Sequence, residues 1–187
     1  MKKLKLLSKI LMAGALMMLT THLFAQAGTT QALTMGIPAI SLIQAVDTNA
    51  AVAAVSLQLT TTIAGDQVTG GTGTSFAQVS SIVGSGQSRI ITVSSTTVPA
   101  GTTLDVTGLL PWADAGGVLG SPATATNING TAQTVFSGIG SCYTGTGKGD
   151  GYVFHWKWNA GSAANYGLIV ATAGSTTSVT ITISAAS

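Results

Sequence analysis

The stretch Tyr152-Val153-Phe154-His155-Trp156-Lys157-Trp158 carries more structural information than any other part of the sequence. Four aromatic residues occupy alternate positions, with Val153, His155 and Lys157 between them. Successive side chains of a β-strand point to opposite faces, so this spacing places all four rings on one face. Aromatic residues pack well on a half-buried pleated surface. The stretch therefore predicts a central strand with an aromatic face.

Shorter segments with the same alternation surround this stretch. Thr, a β-branched residue that favours strands, is abundant, whereas Glu is absent. Gly-rich stretches between the alternating segments predict turns. We therefore predict an all-β fold: a single antiparallel β-sandwich, immunoglobulin-like or pilin-like, with about 7–10 strands. The alternating segments are residues 55–60, 91–93, 104–107 and 179–183, and the Gly-rich stretches are residues 70–73, 84–86, 115–117 and 145–151.

The N-terminal region has the layout of a secretory signal peptide. Four lysines lie within the first nine residues, and an apolar run over residues 10–19 follows them. Ala25-Gln26-Ala27 matches a small-x-small cleavage site. We predict a signal peptide over residues 1–27, an apolar N-terminal strand over residues 28–46 and a β-sandwich domain over residues 47–187.

The composition excludes several classes of protein. Hydrophobic residues make up 45% of the chain and charged residues only 6%, whereas soluble domains carry about 25% charged residues. Beyond residue 27, three Lys or Arg face five Asp, which gives a net charge of −2. Three scattered cations cannot form the basic surface that nucleic acid requires. No later apolar run is long enough for a transmembrane helix.

The sequence offers few residues for catalysis or metal binding. Beyond the signal peptide there is one His and one Cys, and the five Asp residues are scattered. Lys148 lies in a Gly-rich stretch, but the remaining spacing of a phosphate-binding loop is missing. We therefore predict no enzyme activity, no cofactor and no metal site. Cys142 cannot form an intramolecular disulfide, which leaves a buried thiol or intermolecular pairing.

Two features suggest binding functions. Trp112, Trp156 and Trp158 could form a platform on which sugars stack, although aromatic residues at strand spacing more often form a core. This alternative function is a monomeric secreted adhesin or a module that binds glycans or surfaces. Short Thr-x-Thr rows such as residues 180–182 suggest ice binding, which the shortness of the rows makes a less favoured alternative.

The N-terminal strand suggests self-association. Its apolar residues alternate before Pro38, and no charged residue lies between Gly28 and Val46 or after Lys157. Exposed strand edges pair with other chains unless charge or proline protects them. We therefore predict that this strand is donated between subunits. The residues assigned to the intersubunit strand are Leu33, Met35, Ile37, Ile40 and Leu42.

In architecture and composition the chain resembles the pilin and fimbrial subunits of Gram-negative bacteria. The resemblance rests on the signal peptide, the charge-poor Thr- and Gly-rich strands, the apolar N-terminal strand and a closing strand over residues 178–184. It implies a structural subunit of an extracellular filament at the bacterial surface. Its expected partners are copies of itself and a secretion or assembly machinery. The assembly route stays open, because the chain lacks a disulfide and a cysteine at the cleavage site.

Overall fold

The computed structural model describes residues 32–47, 55–112, 114–171 and 177–186. The described residues belong to two units that meet in sequence at Gly36 and Ile37. The first unit contributes only residues 32–36, and the second contains every strand. The predicted signal peptide, residues 1–27, lies outside the described residues.

The regular secondary structure of the second unit consists almost entirely of antiparallel strands, as the sequence predicts. The long strands include the aromatic stretch and three of the four other alternating segments. Four further strands contain only two residues each, and one short 3₁₀ helix spans Ala163–Leu168. The strands are β1 (Ile40–Val46), β2 (Gly71–Ile82), β3 (Arg89–Ser95), β4 (Thr102–Leu109), β5 (Gly116–Gly117), β6 (Ser121–Pro122), β7 (Thr124–Ala125), β8 (Gln133–Ile139), β9 (Cys142–Tyr143), β10 (Tyr152–Ala160) and β11 (Val179–Ala185).

The strands form two sheets. The larger sheet runs in the order β5-β9-β2-β10-β4-β7, and β1 also pairs with β2. The smaller sheet has the order β11-β3-β8-β6. The aromatic strand β10 lies between β2 and β4, where Trp156 is opposite Gly73 on one side and Val106 on the other. Its predicted central position is confirmed.

Side chains from both sheets meet in one hydrophobic core. Phe136 of β8 lies in the smaller sheet, and its ring centroid is 4.6 Å from that of Tyr152 and 5.4 Å from that of Phe154 in the larger sheet. Burying an aromatic side chain contributes about 1.5–3 kcal/mol, so this contact stabilises the association of the two sheets. The largest fully buried side chains of the cluster are Tyr152, Phe136, Phe154, Ile91, Ile128 and Ile139.

Three local predictions are wrong: residues 116–117 form β5 where a turn is predicted, and the other two concern segments that meet at Gly73. Residues 55–60 alternate in burial, but apart from the bridge between Thr60 and Thr69 they form no strand. Residues 71–73 were expected in a turn and instead begin β2. A Cβ atom at position 73 would overlap the side chain of Val55. Glycine is therefore present to admit segment 55–59 against the strand, not to make a turn.

The loop over residues 144–151 is not the expected hairpin turn. β9 and β10 flank this loop, and both pair antiparallel with β2. Tyr143 is opposite Ser80, and Tyr152 is opposite Ala77. The two strands therefore run in the same direction along β2, and the loop is an excursion between them. Inside it, Asp150 is buried and its carboxylate accepts a hydrogen bond of 2.6 Å from the Gly147 N–H.

Candidate functional site

The strongest candidate site is the exposed segment that precedes β1. Leu33, Met35 and Ile37 are 76%, 83% and 81% exposed, and residues 32–39 belong to no strand. Pro38 lies two residues before β1 begins at Ile40. Because Pro has no N–H to donate, a strand ladder readily ends at this position. The segment thus carries three exposed apolar side chains on a backbone that pairs with none of the described strands.

The other two residues of the predicted intersubunit strand lie in β1. Ile40 is opposite Ile82 and Leu42 is opposite Ser80, so both pair within the chain. Leu42 is 64% exposed, whereas Ile43 packs against the core. The intersubunit role of Ile40 and Leu42 stays a prediction.

The guanidinium group of Arg89 holds the start of β1. Its Nη2 donates a hydrogen bond of 3.0 Å to the carbonyl oxygen of Ile40. Arg89 begins β3 in the smaller sheet. This bond therefore connects β1 to the smaller sheet, in addition to the pairing of β1 with β2 in the larger sheet. Hydrogen bonds from charged donors contribute about 1.5–3 kcal/mol, which favours a fixed position for β1.

Two of the three candidate binding tryptophans belong to the core. Trp156 is only 6% exposed, and its Nε1 donates a hydrogen bond of 2.8 Å to Ser75 Oγ. Its ring stacks on that of Phe154 at a centroid distance of 5.9 Å. Trp158 is partly buried and donates through Nε1 to Thr102 Oγ1 at 2.9 Å. Since both indole N–H groups have partners inside the protein, these rings serve packing.

Trp112 differs from the other two tryptophans. Its side chain is 71% exposed and lies outside the strands, after β4. The structure does not bring Trp112 together with Trp156 or Trp158, because those two rings point into the core. The burial of Trp156 speaks against a platform made of all three tryptophans, and a binding role for these residues stays a prediction.

Cys142 is buried, and its thiol has low reactivity. Cys142 Sγ lies 3.9 Å from the hydroxyl oxygen of Tyr152, whose O–H donates to the Leu119 carbonyl at 2.8 Å. Burial raises the pKa of the Cys142 thiol above its usual value, although the hydrogen bond with Tyr152 lowers it in part. Since the thiolate is the reactive form, the fold suppresses the reactivity of this cysteine.

The remaining polar candidates share the outward face of β4 and β10, where Lys157 is opposite Asp105. His155 and Lys157 point outward from β10, on the face opposite Trp156. Both carboxylate oxygens of Asp105 accept hydrogen bonds, from the Asn127 N–H and from Asn159 Nδ2. Among the described residues, no three His, Cys, Asp or Glu side chains are arranged to hold a metal ion. No helix in the described part of the chain is long and apolar enough to cross a membrane.

A cavity between the sheets was not predicted from the sequence. Its volume is about 270 Å³, and residues of β11 form part of its wall. The alternation of residues 179–183 predicted a buried face for β11, but periodicity does not reveal which strands lie at an edge. Side chains from both sheets and from neighbouring loops line it: Ala45, Val55, Leu57, Ser75, Val98, Pro99, Leu104, Trp156, Trp158, Thr177, Val179 and Ile181.

Comparisons of the chain with protein-family models, with curated proteins and with solved structures find no match.

Proposed function

We propose that this protein is a non-enzymatic structural subunit of an extracellular filament, assembled by β-strand addition between its copies. In this proposal residues 1–27 are removed as a signal peptide, and a secretion or assembly machinery delivers the subunit to the surface of a Gram-negative bacterium. The mature subunit is a β-sandwich preceded by a short donor segment. The observation that carries the proposal is the exposed alternation of Leu33, Met35 and Ile37.

Burial of these three side chains in another copy supplies a driving force for assembly. Each contributes about 1.5–3 kcal/mol when it is fully removed from water. Strand addition also provides hydrogen-bond partners for the backbone of residues 32–37, which belong to no strand. Association of one copy with the next through two different surfaces gives an open-ended polymer.

The distribution of charge also supports self-association. No charged residue lies between Gly28 and Val46 or after Lys157. Proteins that stay monomeric protect their edge strands with charge, and β1 and β11 lack this protection. A net charge of −2 beyond residue 27 leaves little repulsion between copies.

The shared core supports the sandwich assignment within the proposal. Phe136 contacts Tyr152 and Phe154 across the two sheets, as opposed layers of a sandwich require. β1 is already paired with β2 and bound by Arg89. We therefore assign the donor role to residues 32–37, and β1 anchors the donor segment to its own subunit.

Negative-stain electron microscopy of the protein purified from the extracellular fraction tests this proposal. We expect uniform filaments from the native protein. A donor variant with Leu33→Ser, Met35→Ser and Ile37→Ser should stay monomeric, because it loses the apolar side chains but keeps the segment length. A native protein that stays monomeric over a wide concentration range would contradict the proposal.

A matched control separates the apolar side chains from the segment itself. Ala32→Ser, Thr34→Ser and Ala39→Ser change three neighbouring exposed positions and leave the apolar residues intact. This control variant should form filaments as the native protein does. If it were as defective as the donor variant, the apolar side chains would not be the cause.

The exposure of Trp112 favours a second candidate function, binding of a glycan or another surface by a secreted adhesin. An exposed indole ring offers a flat apolar face for a sugar ring. Trp112→Ala should abolish glycan binding without changing the unfolding temperature. A glycan array screened with the native protein and this variant tests the candidate, and binding that survives the substitution would contradict it.

A further inference from the structure

The strand β11 lies at the edge of the smaller sheet. Among the described strands it pairs only with β3, so its other edge offers unpaired N–H and C=O groups. Val179, Ile181 and Ile183 point inward and are only partly buried, while Thr180 and Thr182 point outward. A seven-residue uncharged edge of this kind is a template for another strand.

Residues of β11 form part of the cavity wall. β11 contributes Val179 and Ile181 to its lining, whereas β1 contributes only Ala45. A cavity of about 150 Å³ with an aliphatic and aromatic lining accommodates a benzene molecule. The cavity here, about 270 Å³, therefore has room for about two aliphatic side chains. Its lining combines polar and apolar surface and includes two apolar side chains of this edge strand.

The segment before β1 has apolar residues at alternate positions. Added as a β-strand, it would place Leu33, Met35 and Ile37 on one side of its backbone, with about 6.6–6.8 Å between successive side chains. Gly36 has no atom within 4 Å of the position of an added Cβ. Pro38 ends the possible ladder on its C-terminal side, so among the described residues strand addition is available to residues 32–37.

We infer that the free edge of β11 accepts residues 32–37 of a second copy, and that the apolar side chains of this segment fill the cavity between the sheets. The inference rests on the proposed function and assigns the accepting surface. The two-residue strands β5, β6 and β7 are too short to hold such a segment, and the edge strand β1 contributes one residue to the cavity lining where β11 contributes two.

A pair of variants tests the accepting edge. Ile181→Arg places a charge on the cavity side of β11, and Thr182→Arg places the same charge on the outward side of the same strand. We expect at least a tenfold rise in the critical concentration for filaments with Ile181→Arg and little change with Thr182→Arg. If folded Ile181→Arg protein forms filaments like the native protein, the assignment of β11 is wrong, although the filament proposal stands. If the native protein forms no filaments, the proposed function itself fails.

Mixing gives a sharper result. The donor variant keeps an intact β11 edge, and Ile181→Arg keeps an intact donor segment. Each should be monomeric alone, and an equimolar mixture should give a one-to-one heterodimer by size-exclusion chromatography with light scattering. A mixture that stays monomeric, or that forms long polymers, would overturn the assignment.

A cross-linking measurement does not depend on the folding of the Ile181→Arg variant. Met35 is 83% exposed, so a photoreactive benzoylphenylalanine at this position leaves the core unchanged. In filaments of the full chain, mass spectrometry should find the adduct on another copy, at residues 177–185 or at the cavity residues Ala45, Val55 and Leu57. Adducts confined to other surfaces would contradict the inference.

Discussion

The thiol of Cys142 and the hydroxyl of Tyr152 lie 3.9 Å apart, although a loop of eight residues separates β9 from β10. They meet because both strands pair along β2, with Cys142 opposite Ser81 and Tyr152 opposite Ala77. Burial raises the pKa of both groups, and the nearby thiol raises that of Tyr152 further. Both groups therefore keep their protons in the folded protein.

Stability should fall at alkaline pH. The unfolded chain loses these protons near the ordinary pKa values of about 8.5 for Cys and about 10 for Tyr. The folded protein retains them above those values, so the stabilisation is complete at neutral pH and is lost as the pH rises. We expect the free energy of unfolding in urea to decrease from about pH 9 upward. The double variant Cys142→Ala with Tyr152→Phe should show a smaller decrease, and an equal decrease would contradict this origin.

The Cys142 thiol should react slowly in the native protein. Its side chain is buried and its pKa is raised, so little thiolate meets a reagent from solvent. An aromatic disulfide reagent should label it much faster in concentrated urea than in buffer. Filaments should also withstand a reducing agent, whereas their dissociation by that agent would indicate intersubunit disulfides.

Replacing the core tryptophan should cost far more stability than replacing the exposed one. Trp156→Ala removes a buried ring and leaves Ser75 Oγ without its donor, which we expect to cost about 3–5 kcal/mol. Trp112→Ala changes an exposed side chain, and its effect should lie within about 0.5 kcal/mol. Urea denaturation measures both variants, and similar losses would contradict the different placement of the two rings.

Gly151 should not tolerate a side chain. Its φ is 120°, and an added Cβ would lie 2.6 Å from the carbonyl oxygen of Ala77. Gly151→Ala should therefore cost about 1–3 kcal/mol in the free energy of unfolding. Gly130→Ala is the matched control, because no atom lies within 4 Å of an added Cβ there. Thermal unfolding of the two variants should differ clearly, and equal midpoints would exclude the steric cause.

Periodicity in the sequence predicts which segments form strands with one buried face. It says little about which strands pair with one another. The alternation at residues 152–158 correctly indicated a central strand, because an aromatic face needs core on that side and partners at both edges. The pattern at residues 55–60 is equally regular, yet this segment lies beside Gly73 without joining a ladder. The same pair of glycines occurs in turns and at positions where two segments pack closely. Only tertiary packing distinguishes these two cases.

Some features of the candidate site could likewise be predicted from the sequence, and others could not. The exposed alternation of Leu33, Met35 and Ile37 could be read from the sequence as an apolar strand without charge. The cavity could not, because its lining comes from residues as far apart as Ala45 and Ile181. Trp156 and Trp112 could not be separated by residue type, since only burial distinguishes a core ring from a surface ring.

The loop between β9 and β10 is a position at which a peptide could be inserted into the chain. Tyr143 and Tyr152 are both fixed by pairing with β2, so residues inserted between them must close a longer loop and separate Gly147 from Asp150, which a hydrogen bond now joins. Doubling the length of a flexible loop costs only about 0.6 kcal/mol. Lys148 is exposed, and Gly149 has open space around it. A peptide inserted between these two residues would be displayed to solvent while the pairing of both strands with β2 is kept.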